Sequence, residues 1–146
     1  MKQRNDSYQQ LAAIAEKHYG DKNMCTVIAT AKVCKVSYGK AFNACRRNGR
    51  KTGRGTRSKV YLLAIDDLGY STHELRLSSL VGRTIGTAER ELPSKGRYLI
   101  HVRGHVAAFT DGKLHDWTSA EQTGKPRRHR ITHIHEVRPA KNEETQ

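Results

Sequence analysis

The stretch "GHVAAFTDGKLHDW", residues 104–117, decides the fold of the second half of this chain. It holds an Asp-Gly pair between two runs of strand-forming residues, and Asp-Gly in that position favours a two-residue hairpin turn. The runs on either side therefore indicate neighbouring antiparallel strands. Because side chains alternate along a strand, we expect His105 to share a face with Ala107 and Phe109.

Helix signals fill the first half of the chain. Asp6 and Gln9 resemble a capping box, and apolar positions at helical spacing follow to about Tyr19. A second helix is predicted to begin near Cys25, after the helix-breaking "GDKN", and Ser37 is predicted to cap a third. Two more helices are predicted, in "RSKVYLLAIDDLGY" and in "TIGTAEREL".

Strand signals fill the second half. The last of them, "RITHIHEV", alternates so that Ile131, His133, His135 and Val137 are expected on one face. The predicted strands cover residues 97–103, 105–110, 113–117 and 130–137. Helices followed by antiparallel strands indicate the α+β class.

Length and composition limit the domain organisation and the environment. A chain of 146 residues suits one domain, predicted over residues 1–140, with a disordered tail at 141–146. The N-terminus lacks the apolar segment of a signal peptide, and no apolar run approaches the roughly 20 residues of a membrane span. The three cysteines form no CxxC pair and leave one over in any disulfide scheme, which indicates reduced thiols. We therefore expect a cytoplasmic protein without a membrane partner.

Cys25 is the candidate nucleophile. It lies at the predicted start of a helix, where unpaired N–H groups and the helix dipole favour an anion. A thiol in that place shifts toward thiolate, which is the nucleophilic form, and the same N–H groups stabilise a developing oxyanion. Cys34 lies at the far end of the same predicted helix and Cys45 in the apolar stripe of the next. Both are expected to be ordinary core residues.

His105 and Asp116 are the candidate partners of this thiol. A lone cysteine in an apolar helix and a lone histidine on an apolar strand are more often packing residues. The order Cys, His, Asp along the chain favours catalysis, because a thiolate needs a base and an imidazole needs a group that fixes its tautomer. The three side chains are expected to converge. Whether Asp116 reaches His105 depends on a strand register that the sequence does not fix.

The chain resembles the small papain-like cysteine peptidases of bacteriophages and bacteria over roughly residues 20–117. "MCTVIATAKVCKVSYGKAFNACRRNGRKTGRGT" is similar to the nucleophile helix, the next helix and a Gly-Arg-Lys loop. "TIGTAERELPSKGRYLIHVRGHVAAFTDGKLHDW" is similar to the short helix and the His and Asp strands. The resemblance implies an N-terminal helical half packed on a C-terminal antiparallel sheet. It also implies Cys25 as nucleophile, His105 as general base and acid, and Asp116 as orienting residue.

The same resemblance implies a peptide or protein substrate and no cofactor, in the host-cell cytoplasm if the chain is phage-encoded. One departure concerns the oxyanion donor, because papain-like enzymes commonly carry a Gln a few residues before the nucleophile. Tyr19 stands six residues before Cys25 here, so Asn23 or the backbone N–H of Cys25 is the candidate donor. If neither serves, the fold could be kept with weak or lost activity. Related enzymes also act as transglutaminases, deamidases or acyltransferases, so the acceptor stays open.

The histidines do not predict a metal site. His133 and His135 share a strand face, but a pair lacks the four ligands of structural zinc. Counted along one extended strand, His101 and His105 share a face about 13 Å apart, too far to chelate one ion directly. We therefore expect no metal.

An anionic partner is the alternative to catalysis. The chain carries 27 Lys and Arg against 14 Asp and Glu, a formal net charge of +13. The segments "RRNGRKTGRGTRSK" and "KPRRHR" contain no acid and could neutralise nucleic-acid phosphates or an acidic protein, although such clusters are also common as solvated faces. The alternative function is therefore a catalytically weak or inactive papain-like fold that acts as a basic nucleic-acid- or protein-binding module, for example a phage host-takeover factor. The candidate cations are Arg46, Arg47, Arg50, Lys51, Arg54, Arg57, Lys59, Lys125, Arg127, Arg128 and Arg130.

Overall fold

A computed structural model confirms the α+β class for residues 7–21, 24–51, 58–115 and 129–140, which are the residues that the structure describes. The helices there are α1 (Tyr8–Tyr19), α2 (Cys25–Cys34), α3 (Tyr38–Arg47), α4 (Ser58–Asp67) and α5 (Ile85–Glu91). The strands are β1 (Tyr70–Glu74), β2 (Arg97–Val102), β3 (His105–Thr110), β4 (Lys113–His115) and β5 (Ile131–Pro139). The strands form one antiparallel sheet in the order β1-β5-β2-β3-β4.

The predicted Asp-Gly hairpin is present between β3 and β4. Asp111 and Gly112 have φ values of 53° and 80°, and positive φ at both central residues is what a type I′ turn requires. Thr110 pairs directly with Lys113 across the turn. The turn chemistry in the sequence therefore sets the register of these two strands.

The first helix begins one residue later than the predicted capping box. Ser7 is the N-cap: its side chain accepts the Gln10 N–H at 3.1 Å, and the Gln10 side chain accepts the Ser7 N–H at 2.7 Å. The predicted pair, Asp6 and Gln9, is therefore wrong by one residue. Both Asp6 with Gln9 and Ser7 with Gln10 place a short polar residue three positions before a Gln, so the sequence pattern fits either pair. Ser37 caps α3 as predicted.

The sheet is buried on both faces, so the apolar interior has two parts. The helix-side core joins α1–α4 to one face, and the α5-side core joins α5 to the other. Successive residues of β2 and β3 alternate between the two parts, as a pleated strand requires. From these two strands the helix-side core takes Leu99, Val106 and Ala108, and the α5-side core takes Tyr98, Ile100, Val102, Ala107 and Phe109.

A bulge interrupts the alternation of β5. In β2, His101 pairs with His133 and the next residue, Val102, pairs with Ile131. Thr132 is therefore an extra residue in β5 without a partner position in β2. Ile131 consequently lies in the α5-side core, whereas Val137 lies in the helix-side core. The prediction that these two residues share a face is wrong for this reason.

β1 lacks the apolar alternation that predicts a strand. Its residues are exposed or half-buried, and it lies at the edge of the sheet, where it pairs with β5. Within the described ranges, no helix has both the length and the apolar character needed to cross a membrane. The predicted tail, residues 141–146, lies outside these ranges.

Candidate active site

Cys25 is the first residue of α2, as the sequence predicts. The N-cap residue is Met24, whose side chain makes no capping hydrogen bond to the first turn. This end of the helix dipole therefore receives no side-chain acceptor from its own cap. Cys25 is half-buried, whereas all the following residues of α2 are buried. The helix thus presents its accessible thiol at its positively polarised end.

The other two cysteines have the character of core residues, as predicted. Cys34 and Cys45 are 1% and 0% exposed. Burial raises the pKa of Cys34 to about 12 and the pKa of Cys45 to about 11. Both thiols therefore stay protonated at neutral pH, and the thiolate is the nucleophilic form. All three cysteines are free thiols.

Contacts at the far end of α2 fix its direction along the sheet. Arg97, at the start of β2, donates to the Val33 carbonyl at 2.9 Å, and Lys35 forms a 2.7 Å ion pair with Asp111, which follows β3. The end of α2 therefore lies beside the end of β3. A ten-residue helix and a six-residue strand have similar lengths, roughly 15 and 20 Å. Cys25 consequently lies at the end of the sheet where β3 begins.

His105 is the first residue of β3, so it lies at the same end of the sheet as Cys25. It is half-buried and pairs with Val102, which belongs to the α5-side core. Directly paired residues share a face, so His105 shares the face of Ala107 and Phe109, as predicted. α2 packs on the opposite face. The structure therefore brings Cys25 and His105 to one end of the sheet, on different faces.

His101 lies on the face that α2 covers. It pairs with Val106, a residue of the helix-side core, across a tight turn at residues 103–104. The prediction that His101 and His105 share a face is wrong, because this turn places them on neighbouring strands with opposite orientations. His101 is 7% exposed, which makes it a buried imidazole.

A hydrogen-bonded chain of three buried or half-buried side chains runs through His101. The Tyr61 hydroxyl, on α4, lies 2.6 Å from His101 Nδ1, and His101 Nε2 lies 2.8 Å from Nδ1 of His135, on β5. The pKa of His101 is lowered to about 3, mainly by burial and to a smaller extent by the neighbouring His135. Both effects keep the His101 imidazole neutral at physiological pH.

The outer end of this chain reaches the surface near β1. Burial lowers the pKa of His135, which the Glu74 carboxylate partly opposes. Glu74 lies 3.2 Å from Nδ1 of the exposed His133, and this hydrogen bond lowers the pKa of the Glu74 carboxyl. The chain therefore runs from the interior beneath α4 to the half-buried His135, and the His133–Glu74 pair lies nearby without a hydrogen bond to it.

The sequence does not single out Tyr61 or the pairing of His101 with His135. Tyr61 occupies an apolar position of α4, and His101 follows apolar neighbours in β2, so each has the local pattern of a packing residue. Their contact with His135 depends on the pairing of β2 with β5, which are far apart in the chain. Local pattern contains no signal for such a pairing.

Two predicted site residues, Asp116 and Asn23, lie outside the described residues. Tyr19, at the position where papain-like enzymes carry Gln, packs its ring against Tyr38 and Phe42, with centroids 5.1 and 4.7 Å away. Tyr19 is thus part of an aromatic group between α1 and α3. The backbone at the start of α2 is the candidate oxyanion donor that the structure describes.

Arg50 is not a surface cation, so the prediction that it binds an anionic partner is wrong. Its side chain is 1% exposed and forms a 2.8 Å ion pair with Asp21, which is 0% exposed. Tyr38 donates to the same carboxylate at 2.7 Å. The physical reason is the end of α3, where Gly49 adopts φ 112° and the Arg50 N–H bonds back to the Cys45 carbonyl at 3.0 Å. This helix-ending motif turns Arg50 inward.

The other candidate cations divide into exposed residues and residues beyond the described ranges. Arg46 and Arg47 lie exposed in the last turn of α3, where positive charge also complements the helix dipole. The exposed candidates are Arg46, Arg47, Lys51, Lys59 and Arg130. The candidates outside the described residues are Arg54, Arg57, Lys125, Arg127 and Arg128.

Across the described part of the chain, no group of three or more His, Cys, Asp or Glu side chains is arranged to hold a metal ion. This chain matches no protein-family model, no curated protein and no solved structure. The function of this chain is therefore inferred from its own residues and from the resemblance of its motifs to papain-like cysteine peptidases.

Proposed function

We propose that this chain is a thiol hydrolase of papain-like architecture, a cysteine peptidase or isopeptidase with Cys25 as its nucleophile. The observation that carries the proposal is the half-buried thiol at the start of α2, beside the end of the sheet where β3 begins with His105. The two remaining thiols support it by contrast, because burial raises the pKa of each.

In the proposed mechanism, His105 takes the Cys25 proton and the thiolate attacks a substrate carbonyl. N–H groups at the start of α2, or the Asn23 amide, stabilise the oxyanion. His105 then protonates the leaving amine, and water hydrolyses the thioester. Asp116 orients the imidazole, as the resemblance implies, and the exposed cations recruit an anionic substrate or its nucleic-acid partner.

The positions of the histidines on the two faces of the sheet limit which of them can act as the base for Cys25. β3 directs His105 to the α5-side face, whereas α2 packs on the opposite face, so the two side chains would have to approach each other around the end of the sheet where β3 begins. Both residues begin their elements, and both are half-buried. We assign the base to His105 because of the motif that surrounds it; His101, the imidazole on the α2 face, has a pKa lowered to about 3 and would be a weak base.

The test uses p-nitrophenyl acetate, a small acyl donor that requires no knowledge of the natural substrate. Cys25→Ser should lower turnover at least about 10³-fold, because removal of a nucleophile abolishes the covalent route. Cys34→Ser is the matched control and should keep turnover, since that thiol is buried at the other end of α2. His105→Ala should lower turnover by roughly 10²-fold or more, the usual contribution of a general base.

Retention of full turnover in Cys25→Ser would reject the hydrolase. In that case the basic binding module is the better account, and the observation that favours it is the set of exposed cations around the end of α3. Replacing Arg46, Arg47 and Lys51 by Gln should then abolish the salt-dependent binding of a labelled oligonucleotide. Arg50 is left in place in that variant because it is buried.

A further inference from the structure

The outer edge of β1 is a strand edge that the proposed mechanism does not use. β1 stands at one end of the strand order, so in the part of the chain that the structure describes it has a neighbour, β5, on one side only. Its five residues pair with β5 in one continuous antiparallel register, from Tyr70 opposite Pro139 to Glu74 opposite His135. The free side of such a strand presents a row of backbone groups that a further strand can join.

Two backbone hydrogen bonds at the ends of β1 show which of its residues face outward. The Leu75 N–H donates to the Ile134 carbonyl at 2.8 Å, and the Ala140 N–H donates to the Gly69 carbonyl at 2.9 Å. Hydrogen-bonded and non-hydrogen-bonded pairs alternate along an antiparallel ladder. The odd-numbered residues of β1 therefore direct their backbone groups to β5, and the even-numbered residues direct theirs away from the sheet.

The outward residues are Tyr70, Thr72 and Glu74, and their backbone groups make no hydrogen bond within the described ranges. β1 also lacks the features that usually protect an edge, because it contains neither Pro nor Lys and its register has no bulge. The opposite edge of the sheet differs, since β4 has three residues and begins with the exposed Lys113. β1 is therefore the edge that can accept another strand.

We propose that β1 is a dimer interface, at which it pairs antiparallel with β1 of a second copy of this chain about a twofold axis at Thr72. In this register Thr72 exchanges both backbone hydrogen bonds with the partner's Thr72, and Tyr70 exchanges both with the partner's Glu74. Each outward residue thereby finds an outward residue, and the two sheets form one continuous sheet. The same surface serves both copies, as twofold symmetry requires.

Charge complementarity favours a second copy as the occupant of this edge. Arg97 lies over the Tyr70 ring, with its guanidinium carbon 5.1 Å from the ring centroid. Directly paired residues share a face, so the partner's Glu74 brings a carboxylate to the side of Tyr70 on which this cation lies. The other pairs are Thr72 with its own copy and Ser71 with the partner's His73. No two like charges are opposite each other in this register.

The test compares two substitutions at Thr72 by sedimentation equilibrium. Thr72→Pro removes the outward N–H, which β5 does not use, so the fold should be kept. Thr72→Val keeps that N–H and the shape of the side chain. Wild type should show a monomer–dimer equilibrium, and Thr72→Pro should raise its dissociation constant at least about tenfold, because hydrogen bonds are lost in both copies. Thr72→Val should change the constant by less than about threefold.

The measurement is made at roughly 0.15 M salt or above, where a Debye length of about 8 Å or less screens the repulsion between two chains of formal charge +13. Circular dichroism establishes that each variant is folded. A wild type that stays monomeric at its highest concentration overturns the proposal. An unchanged dissociation constant in folded Thr72→Pro also overturns it.

A second variant tests the register through charge and does not depend on the tolerance of Pro. Glu74→Lys places a cation opposite Tyr70, on the side of the partner's Arg97, and twofold symmetry repeats this change at both ends of the interface. Glu91→Lys is the matched control, since it makes the same charge change at an exposed carboxylate on α5. Glu74→Lys should weaken the dimer about tenfold more than Glu91→Lys. Equal effects overturn the register. Neither measurement uses hydrolysis, so its outcome is independent of the Cys25→Ser result.

Discussion

Two buried tyrosine hydroxyls in the helix-side core show that a buried polar group can be satisfied with a fixed or a variable arrangement of protons. Tyr38 donates to Asp21 at 2.7 Å, and Arg50 holds the same carboxylate at 2.8 Å. Tyr61 lies 2.6 Å from His101. An ionised carboxylate only accepts and a guanidinium only donates, so the Tyr38 network has one arrangement of protons. The Tyr61 network has two, because a neutral imidazole can carry its proton on either ring nitrogen.

The two networks also join different parts of the molecule. Asp21 follows α1, Tyr38 begins α3 and Arg50 follows α3, so the first network ties helix ends to one another. The second joins α4 to β2 and β5 and ends at the half-buried His135, whose partner on the neighbouring strand β1 is Glu74. The two tyrosines are similarly buried, at 1% and 3% exposed. Its imidazoles and its half-buried end at His135 distinguish the second network from the network that anchors the helices.

The largest expected effect on stability concerns the anchoring network. Arg50→Ala should lower the free energy of unfolding by about 3–5 kcal/mol, because it leaves the buried Asp21 carboxylate without its ion-pair partner. Lys51→Ala, the matched change at the next residue, should alter it by less than about 0.5 kcal/mol, since Lys51 is exposed. Urea denaturation followed by circular dichroism measures both. Equal losses in the two variants would contradict the structural role given to Arg50.

A smaller effect should appear as a pH dependence that the imidazole network produces. The pKa of His101 is lowered from 6.5 to about 3, so the unfolded chain takes up a proton at a higher pH than the folded protein. Above about pH 6.5 the imidazole is largely neutral in the folded and the unfolded chain, so the free energy of unfolding keeps its full value. As the pH falls from there toward 3, the free energy of unfolding decreases by up to roughly 1.4 kcal/mol per pH unit. His115, whose pKa is lowered to about 4, adds to the same loss.

Chemical denaturation between about pH 6.5 and 5 measures this loss, which should reach about 2 kcal/mol from His101 alone. The range lies above the one in which Glu74 and Asp111 take up protons, because the pKa of each is lowered. His101→Asn should flatten the dependence, and His115→Gln should reduce it by a smaller amount. A wild-type stability that stays constant over this range would contradict a neutral, buried His101.

The elements that could be predicted from the sequence have local causes. The start of α2 at Cys25 follows from the helix-breaking "GDKN", and the turn at Asp111 and Gly112 follows from the positive φ that this residue pair tolerates. The burial of Cys34 follows from its place in an apolar helix. Each signal and its structural consequence lie within one element or one turn.

The elements that could not be predicted depend on contacts between distant residues. Arg50 has the local pattern of a solvated cation, and only its contact with Asp21, across α1–α3, makes it structural. The predicted face of His101 is wrong because the turn at residues 103–104 separates β2 from β3. The bulge at Thr132 and the pairing of β5 with β2 likewise arise from sheet assembly, which no local pattern encodes.

The central claim, that Cys25 is the activated thiol of this chain, is tested most directly by alkylation of the native protein. Iodoacetamide at about pH 6, with the sites located by mass spectrometry, compares Cys25 with the two buried thiols under conditions where only a thiolate reacts quickly. We predict that Cys25 is labelled first and nearly alone, and that His105→Ala slows this labelling without unfolding the protein. Equal labelling of Cys25, Cys34 and Cys45, or protection of Cys25, would contradict the claim.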